Sequence, residues 1–412
     1  MKRGEIAEAY GTGFQRRENL EAYVLSNAVV LPRRADVKCY HGIGGVLDQD
    51  GEYVEASGLS ELFGGAYAYE NAVESDRKVC FCGYLIFHWG HFLMEAVSRL
   101  WYALEHDSEV EAYVFVVDEN SVPEVSGNYL EFFRLLGIAD RLLLVNVPTR
   151  FREVTVPERA FSKLRYYSPK FADIFDAAAE AAERTTEEET FDRVYLSRNH
   201  FRGKDVESGL DFLDHYFEKN GYRILYPEEV SLGRMIRLLR AAKTVASESG
   251  TLTHNFLFMQ PEKDCIIVER QATINDYQCN VDVMRGLHPA YIDANYEIYT
   301  TAVGYGPYLL AYTKWFRQFT QERGYLPPDE KYTSEAYLNQ CLRKYIRACD
   351  KEYGYQRQYT AWQWIHRQTI MEAYDEALEV FRPWLEKKKP LFWWQAFQPR
   401  YVKAWVKKIL KR

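Results

Sequence analysis

The sequence predicts an α/β fold followed by a helical C-terminal part. Short apolar runs of strand length alternate with longer runs of helical spacing up to about residue 270. Apolar strands buried on both faces are typical of a parallel sheet with helices on each side. From about residue 305 the patterns become helical. The composition, 47% hydrophobic and 27% charged over 412 residues, is that of a globular protein.

The N-terminal half shows strand and helix patterns in alternation. Strand patterns lie at residues 24–31, 42–47, 78–87, 113–117 and 141–145. Helix patterns lie at residues 88–105, 129–136 and 171–184. The apolar stripe of the first helix consists of Phe92, Leu93, Ala96, Leu100 and Leu104. A charged turn at 185–190 then predicts a domain boundary.

A second alternating series follows this boundary. Its strand patterns lie at residues 193–197, 222–226, 243–246 and 265–269. Its helix patterns lie at residues 210–220, 231–242 and 251–259. This order predicts a Rossmann-like domain, in which ligands bind at the carboxyl ends of the strands.

The C-terminal part contains helix patterns at residues 308–322, 334–352, 356–385 and 401–412. The net charge is −7, yet residues 387–412 carry nine Lys or Arg and no acid, so the preceding chain stands at −16. An amphipathic basic helix with nearby tryptophans is typical of a segment that lies on an anionic membrane surface. The alternative is a solvated helix packed on the body. Because the body is acidic, we do not expect nucleic acid as a partner.

We therefore expect four parts. They are an N-terminal Rossmann-like domain at residues 1–185, a second Rossmann-like domain at 186–304, a helical extension at 305–385 and a basic tail at 386–412. The N-terminus lacks the apolar stretch of a signal peptide, and no apolar run approaches the roughly 18 residues of a spanning helix. We expect a cytoplasmic protein, peripheral on the inner face of the plasma membrane. The seven cysteines show no zinc spacing and indicate reduced thiols.

Three basic residues follow the strand pattern at 193–197, namely Arg198, Arg202 and Lys204. Side chains at strand ends in such sheets line ligand sites, and arginine can grip two phosphate oxygens at once. This segment predicts a clamp for the diphosphate of a nucleotide. The alternative is a solvated basic loop.

A glycine turn follows the strand pattern at 243–246 and contains further candidate ligands. These are Ser249, Gly250, Thr251, His254 and Asn255. A glycine lets the backbone approach a ligand closely, and a helix start offers unpaired N–H groups to a phosphate. The alternative is a capped helix with a buried histidine. With the basic segment, this turn predicts one anion site.

Polar residues lie along one face of the helix pattern at 88–105. His88, His91, Glu95 and Arg99 are spaced three or four residues apart. Three interpretations remain open: a general base that takes a proton from a sugar hydroxyl, a metal site, or a polar face with a Glu95–Arg99 pair. For a base we expect Glu95, with His91 as its rival.

Four segments resemble motifs of glycosyltransferase family 61, whose bacterial members belong to capsule and surface-polysaccharide loci. The segments are residues 87–101 (FHWGHFLMEAVSRLW), 194–198 (VYLSR), 246–258 (ASESGTLTHNFLF) and 266–269 (IIVE). The resemblance covers roughly residues 75–300. Ser249 stands where many members have histidine, and Val206-Glu207-Ser208 stands where many have Asn-Glu.

The resemblance implies a GT-B fold, with two Rossmann-like domains facing across a cleft. It implies that residues 1–185 meet the acceptor and residues 186–304 the nucleotide-sugar donor. It further implies inverting transfer to a glycan or lipid-linked acceptor, without a cofactor or an essential metal.

The expected reaction is a one-step displacement. Glu95 removes the proton of the acceptor hydroxyl, while Arg198, Lys204 and the Gly250 turn stabilise the leaving diphosphate. Two other hypotheses stay open. In the first, the protein is a non-catalytic scaffold that binds a nucleotide or sugar. In the second, it transfers a different group, such as a phosphoryl or pyruvyl unit.

Overall fold

The structure is a computed structural model that describes residues 14–34, 41–60, 63–163, 165–185, 189–201, 207–271, 275–296 and 306–353. Arg202 and Lys204 lie outside the described residues. The expected helices at 356–385 and 401–412, and with them the basic tail, also lie outside.

The strands are short in the C-terminal half and longest near the N-terminus. In chain order they are β1 (Gln15–Arg16), β2 (Ala22–Leu31), β3 (Gly45–Leu47), β4 (Val73–Tyr84), β5 (Ala112–Val116), β6 (Leu142–Val145), β7 (Thr149–Pro157), β8 (Phe161–Ser162), β9 (Tyr166–Tyr167), β10 (Arg193–Leu196), β11 (Glu207–Ser208), β12 (Arg223–Leu225), β13 (Thr244–Glu248), β14 (Asp264–Glu269), β15 (Ala290–Asp293) and β16 (Tyr308–Leu309).

The α-helices are interspersed with these strands. They are α1 (Trp89–Met94), α2 (Trp101–Glu105), α3 (Gly127–Leu135), α4 (Pro169–Thr185), α5 (Leu210–Lys219), α6 (Leu232–Ala241), α7 (Asp276–Arg285), α8 (Lys314–Arg323), α9 (Glu330–Thr333) and α10 (Glu335–Tyr353). Two 3₁₀ helices, Ala96–Arg99 and Thr253–Phe258, bear on the candidate site.

The chain forms two compact units. Of the described residues, the first unit comprises those within 1–196, 227–267 and 275–290, and the second comprises those within 197–226, 268–274 and 291–353. The second unit is therefore assembled from three separate stretches. The four parts expected from the sequence stay a prediction.

A six-stranded sheet forms the centre of the first unit, in the order β3–β2–β7–β4–β5–β6. The parallel arrangement expected for β4, β5 and β6 is confirmed. At the other edge β2 pairs antiparallel with both β3 and β7, so the sheet as a whole is mixed. The sequence did not indicate β7, because its charged residues Arg150, Arg152 and Glu153 interrupt the apolar pattern.

The parallel sheet expected after residue 190 is present where β10 lies beside β13, with Arg193 opposite Thr244 and Leu196 opposite Ser247. β14 is the next neighbour of β13. Helices α4 and α6 belong to the first unit. Asp176, in α4, accepts hydrogen bonds from Arg240 of α6 at 3.0 Å and from Arg285 of α7 at 2.9 Å. The strands predicted at 193–197 and 243–246 and the helix predicted at 231–242 are confirmed as β10, β13 and α6.

The continuous helix expected at 88–105 is interrupted by the 3₁₀ helix Ala96–Arg99. Arg99 is only 2% exposed, and its guanidinium donates to the carbonyls of Pro157 at 2.9 Å, Ala56 at 2.6 Å and Gly58 at 3.0 Å. Burial, and then the charge of Arg159, lower the pKa of Arg99 to about 9. The polar-face interpretation with a Glu95–Arg99 pair is therefore wrong, because backbone carbonyls take up this guanidinium.

The second unit is built around α5 and α8. The hydroxyls of Tyr216 and Thr320 lie 2.9 Å apart, and the rings of Phe212 and Phe316 are in edge contact at 5.4 Å. A helix was expected from residue 308, but Tyr308–Leu309 pairs with β11 as a strand. Helix α8 begins after Thr313, whose hydroxyl accepts from the N–H of Phe316 at 3.2 Å.

The described residues also provide a comparison with the expectations about cysteines and about membrane-spanning helices. Among these residues, five cysteines are buried free thiols, in agreement with the expectation of reduced cysteines, namely Cys80, Cys82, Cys265, Cys279 and Cys341. Among the described helices, none combines the length and the apolar character needed to cross a bilayer.

We predict that Arg99→Met destabilises the protein by roughly 3 kcal/mol, because buried carbonyls lose their donors while the size of the side chain is kept. Urea unfolding measures the change. Arg134→Met, at an exposed arginine of α3, is the matched control and leaves the midpoint nearly unchanged. Equal midpoints for the two variants would contradict the role of the Arg99 guanidinium.

Candidate active site

His91 and Glu95 form a hydrogen-bonded pair at the end of α1. Nδ1 of His91 lies 2.6 Å from Oε1 of Glu95. Their i, i+4 spacing places both side chains on one helix face, as the sequence predicts. The His91 side chain is 48% exposed and that of Glu95 only 13%. The pair thus joins an accessible imidazole to a largely buried carboxylate.

Tyr277 completes this cluster from α7. Its hydroxyl donates to the same Oε1 of Glu95 at 2.6 Å, and its ring centre lies 6.0 Å from that of His91. The side chain of Asn275 caps α7 by accepting from the N–H of Tyr277 at 3.1 Å. No periodic sequence pattern pointed to Tyr277, which lies 182 residues from Glu95. The available signal was the capping asparagine two residues before it.

The hydrogen bonds decide the ionisation of the pair. Burial acts to raise the pKa of Glu95, but the bonds from His91 and Tyr277 and the charges of His91 and Arg159 outweigh it and lower that pKa. The bond to Glu95 raises the pKa of His91, against burial and the charge of Lys163. Glu95 is therefore an ionised carboxylate that stabilises a proton on His91.

The Gly250 turn lies in the same unit. Gly250 has a φ of +112°, and its carbonyl accepts from the N–H of Thr253 at 3.1 Å and from the Thr253 hydroxyl at 2.9 Å. These bonds of 3₁₀ spacing replace the α-helix expected at 251–259 by the six-residue 3₁₀ helix Thr253–Phe258. The helix type expected at 251–259 is therefore wrong, whereas the anion site expected at the Gly250 turn stays a prediction.

Helix α1 and the Gly250 turn are in direct contact. Trp89 donates from Nε1 to Oδ1 of Asn255 at 2.9 Å, and Asn255 donates from Nδ2 to the carbonyl of Leu252 at 2.9 Å. A Cβ at Gly90 would lie 3.0 Å from Nδ1 of His254 and 3.1 Å from Oγ1 of Thr251. Glycine at position 90 therefore permits the close contact between α1 and the Gly250 turn.

His254 is a neutral buried histidine. Burial is the main cause that lowers its pKa to about 3, and the charges of His91 and His88 add to it. The backbone of Gly90 acts to raise this pKa, but burial outweighs it. His254 therefore brings no positive charge to a phosphate. Ser249, Gly250 and Thr251 stay predicted ligands through their backbone and hydroxyl groups.

In the second unit, Arg198 lies two residues after the end of β10. Its Nε lies 3.1 Å and 3.3 Å from the two carboxylate oxygens of Glu207, which is 8% exposed. Arg270, directly after β14, donates to the same carboxylate and lies 4.6 Å over the ring of Tyr308. Two guanidinium groups thus share one carboxylate. Arg270 was missed, although it follows an apolar strand just as Arg198 does.

The metal interpretation finds no support in the described part of the chain. No cluster of three or more His, Cys, Asp or Glu side chains there has an arrangement that could hold a metal ion. His91 and Glu95 bind each other.

A comparison with known families identifies the region around this cluster. The model of the family described as Glycosyltransferase 61 matches residues 89–267. The match begins in α1 and ends in β14, so it includes His91, Glu95 and the Gly250 turn. Among curated proteins no match is found. The resemblance predicted from the sequence is confirmed, and it supports a glycosyltransferase.

The pH dependence of stability provides a test of the His91–Glu95 pair. Glu95 has a lowered folded pKa, so its contribution is lost as pH falls through that value. His91 has a raised folded pKa, so its contribution is lost as pH rises through that value. We expect the stability gap between wild type and Glu95→Gln to be greatest near pH 5–6, between the ordinary pKa values of about 4.3 and about 6.5.

Urea unfolding at several pH values measures this gap. The control is Glu180→Gln, at a surface carboxylate that pairs weakly with Arg184 at 3.9 Å and has no histidine partner. A gap for Glu95→Gln that stays constant from about pH 4 to about pH 9 would show that the two groups do not titrate as a pair.

Proposed function

We propose that the protein is an inverting glycosyltransferase with a GT-B arrangement, which transfers a sugar from a nucleotide-sugar donor to a glycan or lipid-linked acceptor in surface-polysaccharide synthesis. The observation that carries this proposal is the His91–Glu95 pair, an accessible imidazole fixed by a carboxylate. It lies inside the stretch that matches the glycosyltransferase family.

His91 is the better base of the two. Both hydrogen bonds to Glu95 go to Oε1, and its lowered pKa makes this carboxylate a weak base. When Nδ1 of His91 donates to Glu95, Nε2 is the nitrogen that accepts a proton. A base works best when its pKa is near the working pH, which the raised pKa of His91 favours. The geometry thus supports the rival named in the sequence analysis, with Glu95 as the group that orients it.

The proposed reaction has one step. Nε2 of His91 takes the proton of the acceptor hydroxyl as its oxygen forms a bond to the anomeric carbon. The bond from that carbon to the nucleoside diphosphate breaks on the opposite face, and the electron pair leaves with the diphosphate. The configuration is inverted, and no covalent sugar–enzyme intermediate forms.

Arg198 is proposed to stabilise the charge on the leaving diphosphate. Glu207 fixes the position of its guanidinium through Nε, and an arginine guanidinium can bind two phosphate oxygens at once. From the sequence, Arg202, Lys204 and the Gly250 turn share this role. Because cationic side chains take up the charge, we propose that transfer needs no divalent cation.

The basic tail is proposed to place the enzyme near its acceptor. Residues 387–412 combine one-signed charge with Trp393, Trp394 and Trp405. Such a segment binds the anionic inner face of the plasma membrane, where lipid-linked acceptors are found.

The first test of this function is a panel of nucleotide sugars and nucleoside diphosphates. We expect one nucleoside diphosphate to raise the melting temperature and its nucleotide sugar to be hydrolysed or transferred. Arg198→Ala should weaken diphosphate binding about 10- to 100-fold, the value of a lost charge-assisted hydrogen bond. Arg193→Ala, at the exposed start of the same strand, is the matched control.

The outcomes separate the hypotheses. Binding without hydrolysis or transfer supports the scaffold hypothesis. No response to any nucleotide contradicts the transferase. Equal binding by the two arginine variants contradicts the role of Arg198.

Variants of the pair test the base. His91→Ala should lower kcat about 10²- to 10⁴-fold and leave donor binding unchanged. Glu95→Gln should retain more activity and move the acidic limb of kcat/KM to lower pH, because His91 loses the partner that raises its pKa. His106→Ala removes a similar pair, with Glu109 at 2.8 Å, and serves as the control. Abolished turnover in Glu95→Gln with normal turnover in His91→Ala would make Glu95 the base.

A further inference from the structure

One carboxylate oxygen receives two hydrogen bonds in this site. Oε1 of Glu95 lies 2.6 Å from Nδ1 of His91 and 2.6 Å from the hydroxyl of Tyr277. The proposed reaction gives the Tyr277 hydroxyl no part. A short bond from a separate helix to a largely buried carboxylate nevertheless constrains both the position of that carboxylate and its charge.

The ring of Tyr277 is held on several sides. Nζ of Lys163 lies 4.4 Å from the ring centre, and Lys163 also forms an ion pair of 2.9 Å with Asp276. The rings of His254 and Phe161 lie 6.0 Å and 6.3 Å from it. These contacts belong to the aromatic ring, so a phenylalanine at this position keeps them. Only the hydroxyl is lost in that exchange.

Two hydrogen bonds to one carboxylate oxygen weaken each other. Each hydrogen bond draws on the negative charge that the other also uses, so the Tyr277 bond weakens the hold of Glu95 on a protonated His91. Without the hydroxyl, the carboxylate would favour the imidazolium more strongly. A base that is already protonated cannot accept the proton of an acceptor hydroxyl.

Other charged and titratable groups also lie near the pair, and two of them shift the pKa values of His91 and Glu95. Lys163, between β8 and β9, lowers the pKa of His91. Arg159, after β7, lowers the pKa of Glu95. His254 is neutral, and His88 precedes α1 with its ring 4.9 Å from that of His91. Asp276 faces Lys163. Among these described groups, Tyr277 is the one that donates to the oxygen on which His91 depends.

We propose that Tyr277 is a positioning residue, whose hydroxyl shares Oε1 of Glu95 with His91 and so keeps the imidazole oriented but ready to accept a proton. This inference rests on the proposed function for its catalytic meaning. Its physical content, the effect of one hydroxyl on one imidazole, can be measured without substrate.

The test is Tyr277→Phe, with His91 titrated by NMR in protein labelled at histidine. We expect the titration midpoint of His91 to rise by about 0.5–1 pH unit. Glu95→Gln should move the same midpoint in the opposite direction. Tyr102→Phe is the matched control, since Tyr102 donates to Glu109 at 2.9 Å and Glu109 also binds His106. That variant should leave His91 unchanged.

The kinetic counterpart is the acidic limb of kcat/KM in Tyr277→Phe. It should move to higher pH by the same amount, so activity on the acidic side of the limb falls about 3- to 10-fold more than activity on the plateau. A purely structural role would instead lower the rate equally at every pH.

The two readouts separate the two proposals. A His91 midpoint that stays or falls in a folded Tyr277→Phe protein overturns the inference, whether or not the enzyme is active. A midpoint that rises, with no turnover of any nucleotide sugar by wild type, supports the inference and contradicts the transferase. If the variant fails to fold, Tyr277→Trp, which also lacks the hydroxyl, is titrated in its place with the same expected rise.

Discussion

The close approach of α1 to the Gly250 turn is the constraint on which the candidate site depends. Gly90 has no side chain that would meet His254 and Thr251, and the Trp89–Asn255 hydrogen bond of 2.9 Å ties the helix to the turn. This contact sets the position of α1 and hence of His91. His254, in the 3₁₀ helix that follows this turn, is neutral and so places no positive charge beside the His91 imidazole.

The electrostatics of the site depend on the hydrogen-bond partners of each charged side chain. Arg99 could have paired with Glu95 from the next turn, but backbone carbonyls hold its guanidinium. Glu95 is therefore left to His91 and Tyr277, and its carboxylate remains ionised despite burial. In the second unit Glu207 holds two arginines by the same principle, since a buried carboxylate is stable only with donors around it.

Local periodicity predicted the parts of this site that lie within one element. The spacing of His91 and Glu95 placed both on one helix face, and the ends of apolar strands marked Arg198 and the Gly250 turn. Contacts between distant segments left no periodic signal. Tyr277 reaches Glu95 from α7, and β7 is a central strand although its charged residues interrupt the apolar pattern. The carbonyls of Ala56 and Gly58, which accept hydrogen bonds from Arg99 in the 3₁₀ helix, lie more than 40 residues away in the chain.

The central claim is that His91, held by Glu95, is the group that must lose its proton for transfer. The most direct measurement compares, in the wild-type enzyme, the acidic limb of kcat/KM with the NMR titration of His91. The account predicts that the two midpoints coincide, above the ordinary histidine value of about 6.5. A kinetic limb near the carboxylate range, about pH 4, with His91 titrating well above it, would contradict the account and assign the base to Glu95.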